Sequence, residues 1–376
     1  ATSAKAGQGN RVMHRRERSR VFAPGALTLC AVFALVAGGE SAAATFDGLY
    51  SVVVELDPSA PDPRSDAIRR GFERVLVRVA GSREAAEAPE LRAIMDRAQR
   101  EFLSSYALLE GREVRIGFIP GAVDTALERA SWPVWGPERP LTMLWIAVDN
   151  GFGDRSLLGR DDPISRYERT EEMQEVMETL REELETVADE RGLLYALPAL
   201  DITDIATIDF ADVWSGYEEA LSAASTRYGA DAIVTARVRN SPVGMDVEWT
   251  LHGGAGRLLL GAGFREGLDW LADQYAAQFA VFGGSRLLTL TINGVDTYAD
   301  YGRVMSYLAS VSLLERVDTV SLDRDVLVLE ALSRGSEDVL LRVLGLSSII
   351  APVGGGSNAF GPPALDFVVT DSATRR

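Results

Sequence analysis

The 376-residue chain has one lysine, Lys5, one cysteine, Cys30, and two histidines, His14 and His252. All but His252 fall within the first thirty positions. Beyond residue 44 there is therefore no amine for a Schiff base and no lysine for a phosphate-binding P-loop. There is also no thiol for attack or for a disulfide, and too few ligands for a His/Cys zinc site. A Ser-His-Asp triad would have to use His252, which lies in Leu251-His252-Gly253-Gly254 at the end of an expected strand, and no G-x-S-x-G elbow accompanies it. His252 is read as a turn residue. Basic charge is scarce as well: 38 Lys and Arg stand against 55 Asp and Glu, a net of −17. Residues 1–44 hold six basic and two acidic groups, so the remainder carries about −21. Such a field repels phosphate backbones and anionic headgroups, and nucleic acid is not an expected partner.

Residues 13–44 have the order of a secretory signal. A basic segment (Arg15, Arg16, Arg18, Arg20) precedes an apolar stretch over 26–37 and a small-residue exit at Ser41, Ala42, Ala43 and Ala44. The stretch is shorter than the roughly 20 residues a bilayer span requires. A cleaved signal is the expectation, with an uncleaved inner-membrane anchor reaching Gly39 as the alternative. Leu29 before Cys30 argues against lipidation, and Glu17 and Arg18 after Arg15 and Arg16 favour general secretion over the twin-arginine route. Residues 1–12 precede Met13 and are set apart from the fold. No second long apolar stretch follows, so no transmembrane span is expected after signal removal, and the expected location is the periplasm.

The rest divides into three blocks, and the expected fold class is α+β / α/β in three small mixed domains. Block 45–135 reads as a strand over 49–56, a helix capped by Ser65 and ending at Gly81, a helix over 90–106, a strand over 114–119 and a helix over 122–130. Pro133, Gly136, Pro137 and Pro140 form a stiff connector. Block 136–283 opens on a uniformly apolar strand, 141–148, as burial on both faces would require. A glycine-rich turn and a long helix over 164–191 follow, with Met173, Val176, Met177, Leu180, Leu184 and Val187 on one stripe. Strands over 193–197, 231–238, 243–251 and 257–264 and helices over 211–228 and 268–282 complete it, an order that implies parallel crossovers early and hairpins late. Block 284–376 reads as strand 287–292, helix 297–311, paired strands 317–322 and 326–332, helix 336–344, and strands 348–353 and 365–370. Its βαββαβ order is that of a ferredoxin-like unit.

Few groups stand out as chemistry. Gly151, Gly153 and Ser156 lack the third glycine of a dinucleotide fingerprint. Asp149, Asn150, Asp154, Asp161 and Asp162 could gather around Ca²⁺ but lack EF-hand spacing, so a hairpin turn is the plainer reading. Paired carboxylates remain, since glycoside hydrolysis needs only two acids. Asp201, Asp204, Asp209 and Asp212, in an expected loop after a strand, are the first place to look, with helix caps the simpler role. Trp132, Trp135, Arg139 and Trp214 are the candidate interaction or interdomain residues. Trp132-Pro133-Val134-Trp135-Gly136 joins two blocks, where aromatic rings either seal the seam or anchor a partner.

Val134-Trp135-Gly136 with Arg139-Pro140, Leu144-Trp145-Ile146-Ala147-Val148-Asp149, Leu197-Pro198-Ala199-Leu200-Asp201, Phe210-Ala211-Asp212-Val213-Trp214 and Tyr228-Gly229-Ala230-Asp231-Ala232-Ile233 together resemble the proteobacterial domain of unknown function 2066 family. The middle block also resembles the amino-terminal domain of TolB, in element order and in the Tyr228-Gly229-Ala230-Asp231 phrase. The first likeness implies an exported protein and carries over no catalytic or binding residues; the second implies protein contact in the periplasm. The resulting expectation is a non-enzymatic interaction or envelope-assembly module without catalytic residues, cofactor or metal, contacting envelope proteins. The alternative is a carboxylate-dependent enzyme or binder of cell-wall glycan.

Overall fold

A computed structural model describes residues 44–160, 169–241, 244–253, 257–353 and 364–370. The expected signal, Asp161 and Asp162, the opening of the expected helix 164–191, Val243, Gly254 and most of the loop before the final strand lie outside these residues.

The first sheet has the order β1-β3-β2, with β1 Ser51–Glu55, β2 Leu103–Leu108 and β3 Glu113–Phe118, all antiparallel. Helix α1, Pro63–Ala80, packs Ile68, Phe72, Val75, Leu76 and Val79 into the core. Its cap is Asp62 rather than Ser65, because Pro63 is preset for the first helical position and places the cap one residue before it. Ser65 sits in the first turn and donates its hydroxyl to Asp62 at 2.6 Å. Gly81, at φ 73°, ends the helix.

The expected helix over 90–106 is three elements: α2 Pro89–Met95, α3 Ala98–Glu101 and β2. Its last part, with the weak helix formers Ser104 and Ser105, is taken up by the free edge of β3 instead. Gly117 of β3 faces Ser105, and a Cβ there would lie 2.4 Å from the Ser105 hydroxyl. Local periodicity loses here to a strand partner that only the fold supplies. Helix α4, Pro120–Arg129, follows.

Strand β1 pairs only with β3, so the carbonyls of Ser51, Val53 and Glu55 face outward. Three arginines spaced four apart on α1 cover them: Arg78 donates to Ser51 O at 2.9 Å, Arg74 to Val53 O at 3.3 Å and Arg70 to Glu55 O at 2.8 Å. An open strand edge invites pairing with another chain, and this ladder occupies its acceptors.

In the second sheet, β4 Leu141–Asp149 carries β7 Ala232–Ser241 along one side in parallel. Its other side takes β6 Leu194–Ala196, parallel, at one end and β5 Arg155–Leu157, antiparallel, at the other. Strands β8 Gly244–Leu251 and β9 Arg257–Ala262 add on antiparallel. Helices α5 Glu171–Arg191 and α9 Phe264–Phe279 lie on the face of Leu144, Ile146 and Val148; α7 Phe210–Ser215 and α8 Glu218–Ser225 cover Met143, Trp145 and Ala147. Burial on both faces explains the unbroken apolar run of β4. The expected helix over 211–228 is broken at Gly216, φ 70°, between α7 and α8. A further short helix, α6 Ile202–Thr207, forms where a loop was expected.

The third sheet is ordered β11-β12-β10-β14-β13: β10 Ser285–Asn293, β11 Leu314–Asp323, β12 Val326–Arg334, β13 Ile350–Pro352 and β14 Ala364–Val369. Helices α10 Tyr298–Ser310 and α11 Glu337–Gly345 carry its buried face, capped by Thr297 and Ser336. The expected split βαβ arrangement of β10, α10 and β11 around β12 is present. The last position departs from a simple βαββαβ unit: β14 lies beside β10 and parallel to it, and β13 is the outer strand. Three residues ending in Pro352, which has no donor, suit an edge; Leu365 and Phe367 give β14 the apolar side chains of an inner strand. The overall class is thus mixed α+β, with three sheets among the described residues, one in each block; one core is shared by all three, and a second, around Met143, Trp145 and Ala147, lies under α7 and α8.

Candidate functional site

Trp132, Trp135 and Arg139 lie on the connector between the first two sheets. Trp135 is fully buried and Trp132 partly so. Backbone contacts fix the segment: Val134 exchanges hydrogen bonds with Val281 at 2.9 Å each, and Trp135 N–H donates to Val79 O at 2.7 Å.

Arg139 is fully buried, and its guanidinium makes five hydrogen bonds, every one to a backbone carbonyl. Nε donates to Gly136 O at 3.0 Å. Nη1 donates to Arg191 O and Gly192 O, both at 2.9 Å. Nη2 donates to Arg78 O at 2.9 Å and Trp135 O at 3.0 Å. The planar fork thus uses its full set of donors, which makes a buried cation tolerable. The ring of Trp135 lies 3.8 Å beneath it. Burial first, and the neighbouring Arg78 and Arg191 cations next, pull its pKa well below the ordinary arginine value.

Arg78 and Arg191 are buried in the same seam. Arg78 reaches Asp189 at 2.9 Å, and Arg191 reaches Asp269 at 2.6 Å and Gly81 O at 3.0 Å. Arg83 extends the lattice outward, to Asp269 at 2.8 Å and Glu190 at 2.9 Å, and Arg265 pairs with Glu190 as well. Behind the connector, buried Glu138 accepts from the amide and hydroxyl of Ser312, both at 2.6 Å. These residues clamp α1, α5, α9 and the third block together. Sequence reading singled out only Arg139. Arg78, set inside the apolar run Val75-Leu76-Val77-Arg78-Val79-Ala80, was the available signal for a second buried cation.

Trp214 is apart from the seam. It stacks on Phe210 at 5.3 Å, with Arg239 over its ring at 5.4 Å and Arg155 over Phe210 at 5.9 Å. Each of these arginines has a carboxylate partner, Asp246 at 3.8 Å and Asp149 at 2.9 Å.

The four aspartates considered for paired-acid chemistry divide into two structural pairs. Asp209 and Asp212 form a reciprocal capping box at the start of α7. Asp201 caps α6 and holds Arg227 with both oxygens, at 2.7 and 2.9 Å. The Arg227 hydrogen bond is the main reason its pKa lies well below the carboxylate range. Asp204 accepts from Leu200 N–H at 2.9 Å, Tyr228 O–H at 2.6 Å and Arg227 at 3.0 Å. Burial and then the Asp204 hydrogen bond push the Tyr228 pKa up to about 12.

Asn150 closes its turn with Phe152 N–H at 2.9 Å and Asp154 N–H at 3.1 Å, and Asp154 caps toward Thr170 at 3.2 Å. Among the described residues no group of three or more His, Cys, Asp and Glu is placed to hold a metal ion. His252 is half-buried, with Nε2 2.9 Å from the Thr235 hydroxyl; desolvation lowers its pKa. It borders a cavity of about 310 Å³ whose other walls include Tyr275, Phe279 and Leu346. Among the described residues no helix is long and apolar enough to cross a membrane.

A family described as a domain of unknown function, DUF8605, matches residues 43–136, the span of the first sheet and its helices. No curated protein and no solved structure matches the chain.

Proposed function

We propose that the chain is an exported, non-enzymatic protein-interaction module of the bacterial envelope, acting in the periplasm after removal of the segment over residues 13–44. The observation that carries this reading is the fate of the four aspartates first considered for acid-base work. All four serve as caps or anchors, and Asp201 and Asp204 are tied to one arginine. The arginine seam supports it too, since it ties the first two blocks together while Glu138 holds Ser312 of the third, a scaffold from which loops and short helices can be presented. The likenesses to the domain of unknown function 2066 family and to the TolB amino-terminal domain point the same way. Crosslinking in intact cells, followed by co-purification, tests it: a stable envelope protein partner is the expected result. Recovery of the chain alone from a periplasmic fraction, or hydrolysis of cell-wall glycan that is lost in Asp204→Asn, overturns it.

A further inference from the structure

The two edges of the first sheet differ. The outward carbonyls of β1 are taken by Arg70, Arg74 and Arg78, whereas β2 pairs with β3 alone and leaves its other edge open. Ladder phase identifies the open groups. Leu109 N–H donates to Glu113 O at 2.9 Å, so these two form a hydrogen-bonded pair. By alternation Ala107 bonds to Arg115, and the N–H and C=O of Tyr106 and Leu108 point away from β3. Among the described residues no group bonds to them. Native edges are ordinarily blunted by charge, proline, shortness or broken register. Strand β11 carries Glu315, Arg316, Asp318 and Asp323 and two register shifts, and β13 is three residues ending in Pro352. Strand β2 has no charge and no proline in six residues, none of them buried, and its Leu108 is 72% exposed. Its one irregularity, at Ser104, precedes the open groups.

Open backbone donors and acceptors are covered by another strand, and a second copy of β2 fits them. A two-fold axis through Ala107 sets Tyr106 opposite Leu108 of the other copy, twice, and each such pair exchanges two hydrogen bonds. Every open group of Tyr106 and Leu108 is then used. Both side chains lie on the face of buried Ile116 and Val114, so exposed Leu108 gains an aromatic neighbour across the strands. Neighbouring axes do worse. An axis at Tyr106 sets its two rings face to face, each with an Arg64 guanidinium 4.7 Å from its centre, and an axis at Leu108 carries Tyr106 onto the turn at Glu110. The axis at Ala107 leaves the two Arg64 side chains diagonal to each other and brings Glu110 toward Ser104 of the other copy, not toward an acid. Arg115, opposite Ala107 in β3, comes no nearer its counterpart than three strand spacings, about 14 Å, beyond the screening length of about 8 Å. Overall charge opposes little: residues 45–135 hold 12 Arg against 15 Asp and Glu, a net of −3 out of about −21 beyond residue 44. We infer that β2 is a homodimer edge, joining two three-stranded sheets into one of six strands. Dimerisation requires no envelope partner, so it goes beyond the reading above and does not depend on it.

Sedimentation velocity of the full chain from about 1 μM to 1 mM, the range a small transient interface requires, tests the inference together with amide hydrogen exchange. The wild type passes from monomer to dimer, and over the same range the amides of Tyr106 and Leu108 change from fast to slow exchange. The Ala107 amide, bonded to β3 throughout, is protected at every concentration. Leu108→Lys sets a cation beside Arg64 of the other copy and weakens the dimer about tenfold or more. Its thermal midpoint stays at the wild-type value, because Leu108 is exposed in the monomer. Leu108→Pro, which deletes one outward donor, weakens the dimer as well. A monomer throughout the range overturns the inference. So does a dimer that leaves the Tyr106 and Leu108 amides in fast exchange, or one that Leu108→Lys forms as readily as wild type. Protection of those amides only when another protein is bound also overturns it, and gives the edge to a foreign strand.

Discussion

Gly192 and Arg139 share one space. The glycine carbonyl accepts from Arg139 Nη1 at 2.9 Å, and a Cβ at position 192 would sit 2.3 Å from that same nitrogen. Gly192 also ends α5 at φ 68°. One residue thus closes a helix and leaves room for a buried cation, so the sequence Arg191-Gly192 is constrained twice.

Gly192→Ala is expected to destabilise the fold by about 2–4 kcal/mol, through left-handed backbone strain and displacement of the guanidinium. Urea unfolding measures it. A loss below about 0.5 kcal/mol, the ordinary scatter of surface changes, would show that the seam absorbs the methyl group.

Arg139→Met removes the donors for five buried carbonyl contacts and is expected to cost on the order of 3 kcal/mol or more. Arg139→Lys should recover only part of this, because a point charge cannot serve a planar set of acceptors. Chemical denaturation of the two variants side by side separates charge from geometry, and equal stability of Lys and wild type would contradict the geometric account.

Asp204→Asn can keep an amide oxygen for Leu200 and Tyr228 but then turns an NH2 donor toward Arg227 Nη1, so that bond is lost, at an expected cost of about 1–3 kcal/mol. Hydrogen exchange should show α6 opening before the rest of the middle block. Uniform protection in the variant would mean that Asp204 does not set the helix's orientation.

His252 gives a pH signature. Its folded pKa lies below the ordinary value near 6.5, so between those two pH values the unfolded chain binds more protons than the folded one. Stability contributed by this site therefore rises with pH across that window and is reduced below it. His252→Gln should flatten the slope of stability against pH just below 6.5; an unchanged slope would assign it to other groups.

Arg70→Ala/Arg74→Ala uncovers the Glu55 and Val53 carbonyls of β1. Little loss of stability is expected from these exposed contacts, but light scattering during slow refolding should increase. Aggregation no faster than wild type would mean that the ladder does not guard the edge.

The sequence by itself determined the mixed α+β class, the double-sided burial of β4, the helices that open near 297 and 336 and the parallel-then-antiparallel order of the middle sheet. These follow from local rules: apolar period, turn residues and the small set of permitted connections. It also marked Trp135 and Arg139, because two tryptophans among prolines and glycines stand out in a connector. Tertiary structure alone decided the rest. Residues 103–108 became a strand because β3 offered an unpaired edge beside Gly117, an interaction no helical period can register. Arg78, Arg191 and Glu138 became interior residues because their partners lie far along the chain, where backbone carbonyls converge only after the helices pack. The isoleucines of α6 face water for the same reason: Arg227 and Tyr228, more than twenty positions away, hold Asp204 inside. Apolar side chains bury by default, and a pattern read along the chain cannot show which long-range polar contacts will outweigh that default.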